Sequence, residues 1–418
     1  MIRPTPIPLF EAYGVELEYM IVDAESLNVL PVTDKVLFDV VGEYASDLDA
    51  GAISWSNELA LHVIELKTTD PARSLGPLPG LFQEQIERIG RLLQSHGGRL
   101  MPTAMHPWMD PDREMQLWPH ENNTVYSTFD RIFNCCGHGW ANLQSVHLNL
   151  PFANDVEFGK LHTAIRLLLP IMPALAASSP IVERRVTNVL DNRLNFYRSN
   201  ASRVPSVTGL VVPEPATTRH EYETQILERI YKDLAPYDPE GVLRHEWANA
   251  RGAIARFDRN TIEVRVLDVQ ECPQADVAIC TAISSVLKML VDEKWTPAER
   301  QLAMSTESLA AILLDVMRDA DQAVIRDRGY LAQFGVEPTG EEWTAGKLWG
   351  RLFEAMGLDS VAADEAWEEP LRTIATHGPL ARRIIHAIGA TPDEATMRRV
   401  YHQLCDCLQE GRMFVPHG

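Results

Sequence analysis

GVELEYMIVD, residues 14–23, opens on a glycine and continues through apolar and aromatic side chains that favour an extended chain. A strand has a period of two, so Glu16 and Glu18 project from one face while Val15, Leu17 and Tyr19 project from the other. Three more segments read the same way: ALHVIELKT (60–68), LQSVHLNLP with its strand over 145–150, and TIEVRVL (261–267). His147 and Asn149 share a face, as do Glu263 and Arg265. Glu65 interrupts the apolar run HVIEL, where an unpaired carboxylate is costly to bury, and Glu58 precedes the same strand.

The segments between these strands are long and uneven. Residues 81–95 have helical spacing and end at Gly97-Gly98, and residues 99–103 read as a short strand. Residues 104–140, with several Pro, His and Trp, read as a long irregular segment of the kind that often carries function. Asn154 with Glu157 forms a capping box that starts a helical run to about residue 177. Residues 190–220 read as another long loop. From about Ala275 the chain is helical, with helix starts at Thr296-Pro297 (Glu299) and Thr391-Pro392 (Glu394). Regular βα units are missing, which predicts an α+β architecture: a mainly antiparallel sheet backed by helices, with a helical C-terminal region.

The 418 residues carry a net charge of −20, with 45% hydrophobic and 23% charged residues. That is a globular composition with no basic stripe for nucleic acid. The six cysteines show neither a secreted disulfide pattern nor a CxxC motif, and His402, Cys405 and Cys407 read as ordinary residues of one helix. The N-terminus lacks signal-peptide features, and the apolar stretch 167–177 is interrupted by Pro170 and Pro173 and is too short to span a bilayer. The expectation is a cytoplasmic protein with no membrane partner, and the C-terminal helices offer a face for homo-oligomerisation.

If the four strands share one sheet, one face holds Glu16, Glu18, Glu65, His147 and Glu263. Any single pair reads first as a solvated strand face. Their repetition on one face calls for positive charge between them, and oxygen donors with one imidazole suit Mg²⁺ or Mn²⁺. ATP is the common partner of such cations, and Arg256, Arg259 and Arg265 around the last strand could meet its phosphates. Surface ion pairing is the competing reading for Arg256 and Arg259. A Walker A motif, a G-x-G-x-x-G loop, a zincin motif and a G-x-S-x-G elbow are all missing, so a nucleotide would have to lie on the sheet itself.

Taken in order, GVELEYMIVD, NELALHVIELKT (57–68), MPTAMHP (101–107), SVHLNLPF (145–152), LLPIMPALAASSP (168–180), LDNRLNFYR (190–198) and TIEVRVLD (261–268) resemble the glutamate–cysteine ligase type 2 family, the YbdK-like carboxylate–amine ligases. The resemblance spans roughly residues 11–290. It implies a glutamine-synthetase-like catalytic domain over 1–290, with a curved sheet that holds ATP and Mg²⁺, and a helical region over 291–418 packed on it. It also implies metal ligation by Glu16, Glu18, Glu58, Glu65, His147 and Glu263. Glu263 and Arg265 would serve catalysis; Arg265, Arg256, Arg259 and Asn149 the nucleotide; Arg193, Glu65 and Arg265 the substrate. The implied reaction activates a carboxylate, glutamate first among candidates, as an acyl phosphate and then forms an amide with an amine. The competing readings are a guanidino-kinase-like phosphotransferase on the same sheet, a ligase for another amino acid or peptide, a metal-dependent hydrolase, and a binding protein that keeps only the fold. The His strand and residues 245–260 depart from the family's usual pattern, which leaves the substrate pair open.

Overall fold

The computed structural model describes residues 6–337, 340–358, 367–389 and 392–416. Among the described residues the main sheet has eight strands: β1 (Gly14–Asp23), β2 (Asp47–Asp49), β3 (Ile53–Asn57), β4 (Val63–Thr68), β5 (Gly98–Met101), β6 (Ser145–Pro151), β9 (Ala253–Arg256) and β10 (Thr261–Asp268). A separate ribbon pairs β7 (Ile181–Val182) with β8 (Arg185–Val186). The order is β2-β3-β4-β1-β6-β10-β9, with β5 alongside the far end of β1, and every pairing is antiparallel. All four expected strands are present, and β1, β4, β6 and β10 lie side by side as the central four.

Alternation along β1 divides the molecule. Val15, Leu17, Tyr19 and Ile21 are fully buried in one apolar cluster with Phe82, Ile86 and Ile89 of the helix Leu78–Gln94 and with Ile279 and Ile283 of the helix Pro273–Val291. Full burial of residues such as Phe82 and Ile86 contributes roughly 1.5–3 kcal/mol each. The helix Pro273–Val291 is long and apolar enough to cross a membrane by composition, but 67% of its apolar window is buried inside the protein. On the opposite face, β1 begins with Glu16 and Glu18 and continues with Met20 and Val22. That apolar half is covered by the helices Leu380–Ile388 and Glu394–Glu410.

Asn154 caps the helix Asp155–Leu168 by accepting from the Glu157 N–H at 3.1 Å, as its capping box predicts. Elsewhere the structure corrects the reading. Residues 190–220 are not a loop throughout: Asp191 caps a helix, Asn192–Asn200, by accepting from the Leu194 N–H at 2.8 Å. Residues 104–140 contain the helices Pro111–Glu114, Asn123–Phe133 and His138–Ala141. The strand expected over 60–68 starts at Val63, and β2, β3, β9 and the helix Thr33–Val41 were not anticipated. The last helix is capped by Asp393, which accepts from the Thr396 N–H at 2.7 Å; Thr391 lies outside the described residues. Cys405 and Cys407 sit buried in that helix as free thiols, and His402 turns to the Glu25 carbonyl at 3.1 Å.

Candidate active site

Antiparallel register sets the site. Glu16 lies opposite His147 on β6 and Lys67 on β4; Glu18 lies opposite Glu65; Asn149 lies opposite both Gly14 and Glu263. Gly14 is required there, because a Cβ at that position would come within 2.9 Å of the Asn149 Cβ. Two carboxylates directly across a strand pair repel each other. The sheet therefore stores unfavourable charge at Glu18 and Glu65, next to Glu16 and Glu58.

These groups line a cleft of about 600 Å³. Its floor is the sheet face, and Tyr126, Phe129, Trp140 and Trp247 contribute to its apolar walls. Within it, Glu16, Glu65 and His147 can bring one donor atom each within 4.8 Å of one another, and so can Glu18, Glu58 and Glu65. The two triads share Glu65. Ser145 donates to Glu18 Oε2 from its backbone N (2.7 Å) and its Oγ (2.9 Å). His147 Nδ1 lies 2.9 Å from Glu16 Oε2, and its Nε2 lies 2.9 Å from Ser145 Oγ. Ser145 Oγ, already donating to Glu18, is free to accept from His147 Nε2.

The proton affinities follow. Burial opposes charge on His147, but its hydrogen bond to Glu16 and the field of Glu18, Glu16 and Glu263 outweigh that and raise its pKa. Burial would also raise Glu16, yet His147 pulls it down to about 2. At Glu65 the balance goes the other way: burial and the Glu16 charge outweigh Lys67 and the Ser56 hydrogen bond and push it up to about 7. Burial, with Glu18 and Glu65, lifts Glu58 well above the carboxylate range. Crowded carboxylates whose negative charge is disfavoured by burial and by one another, with one imidazole in reach, suit a hard divalent cation.

Glu263 joins this face from β10. Its Oε1 lies 3.0 Å from Arg265 Nε and 3.9 Å from His147 Nδ1, and its Oε2 lies 3.3 Å from Arg256 Nη1. The pairing of β10 with β6 slips by one residue between Val264 and Leu267, a bulge next to Arg265. Arg193 enters from the capped helix, donating from Nη2 to the Arg265 carbonyl at 2.8 Å. It is 2% exposed, and neither its Nε nor its Nη1 makes a hydrogen bond, although Nη1 lies 3.6 Å from Asp268. Asn149 donates to Glu16 Oε1 at 3.0 Å. Arg259 lines the cleft at its rim, where its side chain is 60% exposed and 3.9 Å from Asp258.

The sheet thus gathers Glu16, Glu18, Glu58, Glu65, His147, Glu263 and Arg265 around one cleft, with Arg193, Arg256 and Arg259 in its wall, and Asn149 stands behind Glu16 as its hydrogen-bond donor. Lys67, Ser56 and Tyr126 were not anticipated. Lys67 was legible in principle, because it stands two residues beyond Glu65 on the same strand face.

The family that this chain matches makes it a ligase of the kind that joins a carboxylate to an amine. The chain belongs to glutamate–cysteine ligase family 2, which it matches over residues 12–403. It is 37% identical over 280 residues to an uncharacterized protein of Archaeoglobus fulgidus, covering 67% of this chain and 75% of that one. It is 24% identical over 337 residues to a putative glutamate–cysteine ligase 2 of Bradyrhizobium sp. (strain ORS 278), covering 77% of this chain and 68% of the relative. Its fold is similar to that of glutamate–cysteine ligase from Francisella tularensis solved in complex with AMP, with a TM-score of 0.59, 14% identity, and coverage of 95% of this chain and 88% of that one.

Proposed function

We propose that this ligase uses ATP and Mg²⁺ and forms its amide through an acyl phosphate, with glutamate the leading acid substrate. The observation that carries the proposal is the pair of donor triads sharing Glu65, beside an arginine with unsatisfied N–H groups. Glu16, Glu18, Glu58, Glu65, His147 and Glu263 would hold divalent cations, whose role is to neutralise polyphosphate charge. Arg265 and Arg193 offer fixed planar donors to the oxygens of the transferred phosphoryl group or of the acid substrate. Glu263 orients Arg265 and Arg256 through its two oxygens. The acid carboxylate attacks the γ-phosphorus, releasing ADP; the amine then attacks the acyl carbon, phosphate leaves, and the amide forms. No protein side chain has to become covalently attached. The AMP bound to the Francisella tularensis neighbour supports an adenine nucleotide on this fold.

The test is ADP release measured with Mg-ATP and amino acids supplied singly and in pairs. ADP release that needs both an acid and an amine is expected. ADP release with a single substrate, unaffected by any amine, would favour the phosphotransferase reading, and turnover without ATP would favour a hydrolase.

A further inference from the structure

Lys67 stands among the acids in a way that the reaction outlined above does not use. It lies across the sheet from Glu16 and two residues along β4 from Glu65. Its ammonium is held by three acceptors: Ser56 Oγ at 2.8 Å, Glu65 Oε2 at 3.0 Å and Asp47 Oδ1 at 3.1 Å. The same Glu65 oxygen accepts from Ser56 Oγ at 2.5 Å. Glu65 Oε2 thus carries both a hydroxyl and an ammonium, so a cation that takes this oxygen has to displace the ammonium. Yet Glu65 is the carboxylate that both donor triads share. The third acceptor, Asp47, is on the edge strand at the mouth of the cleft, with its side chain 68% exposed.

We propose that Lys67 is a resident counter-ion of Glu65 that a divalent cation must displace, and that the displaced ammonium, still tethered at the rim, then binds an anionic oxygen of a substrate. The inference rests on the cation-binding reading of the site. One side chain then couples the two ligands: the cation frees the ammonium, and the anion holds the ammonium away from Glu65. Such coupling is reciprocal, so each ligand tightens the other by the same factor. A phosphate of the nucleotide and the carboxylate of the acid substrate share this chemistry, and both are tested.

The experiment is Mn²⁺ binding to the full chain, read by electron paramagnetic resonance, alone and with either non-hydrolysable ATP analogue or glutamate. Wild type, Lys67→Met and Lys67→Arg are compared. Removing a fixed charge this close should tighten Mn²⁺ binding in the absence of substrate by about tenfold or more. The same change should abolish most of the gain that one of the two anions gives the wild type, and the arm in which the gain disappears identifies the anion. Lys67→Arg should keep the coupling. Unchanged or weaker Mn²⁺ binding by Lys67→Met, or coupling that survives it, overturns the proposal and leaves Lys67 as a structural partner of Glu65. No Mn²⁺ binding by wild type would overturn the cation reading itself, and this inference with it.

Discussion

Glu263 holds three charges in place: Arg265 and Arg256 through ion pairs, and His147 across the β6–β10 boundary. Glu263→Gln keeps the volume and removes the charge. The expected result is a loss of ADP formation of at least about 100-fold with the fold intact, since fixed charge aimed at a transferring group is often worth that much. Full activity in a folded variant would remove Glu263 from the site. At this scale the sequence was informative because a strand's period of two is strict. Glu16 with Glu18, His147 with Asn149, and Glu65 inside an aliphatic run are all visible as residues that should not be there without a reason. Lys67 obeys the same rule, but its partners Ser56 and Asp47 come from β3 and β2, which the sequence did not reveal.

Helix Asn192–Asn200 shows what an element can hide. Its sequence is polar and has no apolar stripe, so nothing in its periodicity marks a helix. It forms because Asp191 caps it and because it is packed beside the sheet end that carries Arg265. The cap has a cost. Asp191 is fully buried with one oxygen unpartnered, and burial together with Asp268 raises its pKa well above the carboxylate range. Asp268, buried and only partly offset by Arg193, is pushed up to about 6. Carboxylates whose folded pKa is raised stabilise the fold below their unfolded value of about 4, and that contribution is lost as pH rises through the folded value. Asp191→Asn keeps the capping oxygen and removes the charge. Its thermal midpoint should exceed that of wild type by a few degrees at pH 8, and the gap should shrink towards pH 5. A lower midpoint at pH 8 would mean that the Asp191 charge stabilises Arg193 more than burial penalises it.

Across the whole molecule, the helices Leu380–Ile388 and Glu394–Glu410 pack on the same sheet face as the site. They cover the apolar half of the β1 face whose other half carries Glu16 and Glu18. Their anchor is Arg383, whose guanidinium meets both carboxylate oxygens of Glu271, just beyond β10, with both side chains fully buried. Glu271 also accepts from the Phe414 N–H at 3.1 Å, tying in the chain end. Arg383→Met leaves Glu271 as an uncompensated buried charge and should cost about 3–5 kcal/mol. Replacing Glu271 by Leu in the same chain should recover much of that loss. Chemical denaturation of the single and double variants measures both, and a loss under about 1 kcal/mol in the single variant would mean that the pair is not a structural anchor.

The sequence by itself determined the sheet's central strands, the side of each that is apolar, and the acids and histidine that share the other side. These are local properties, governed by alternation within eight or ten residues. It also carried the family, because a set of short motifs kept their order. Only the tertiary structure decided which acids pair, that Glu18 faces Glu65, that Arg193 reaches the back of Arg265, and that Lys67 is tied to the one carboxylate both triads use. Those facts depend on register between strands and on contacts between segments tens to hundreds of residues apart. No local pattern encodes them; they follow from how the whole chain closes on its core.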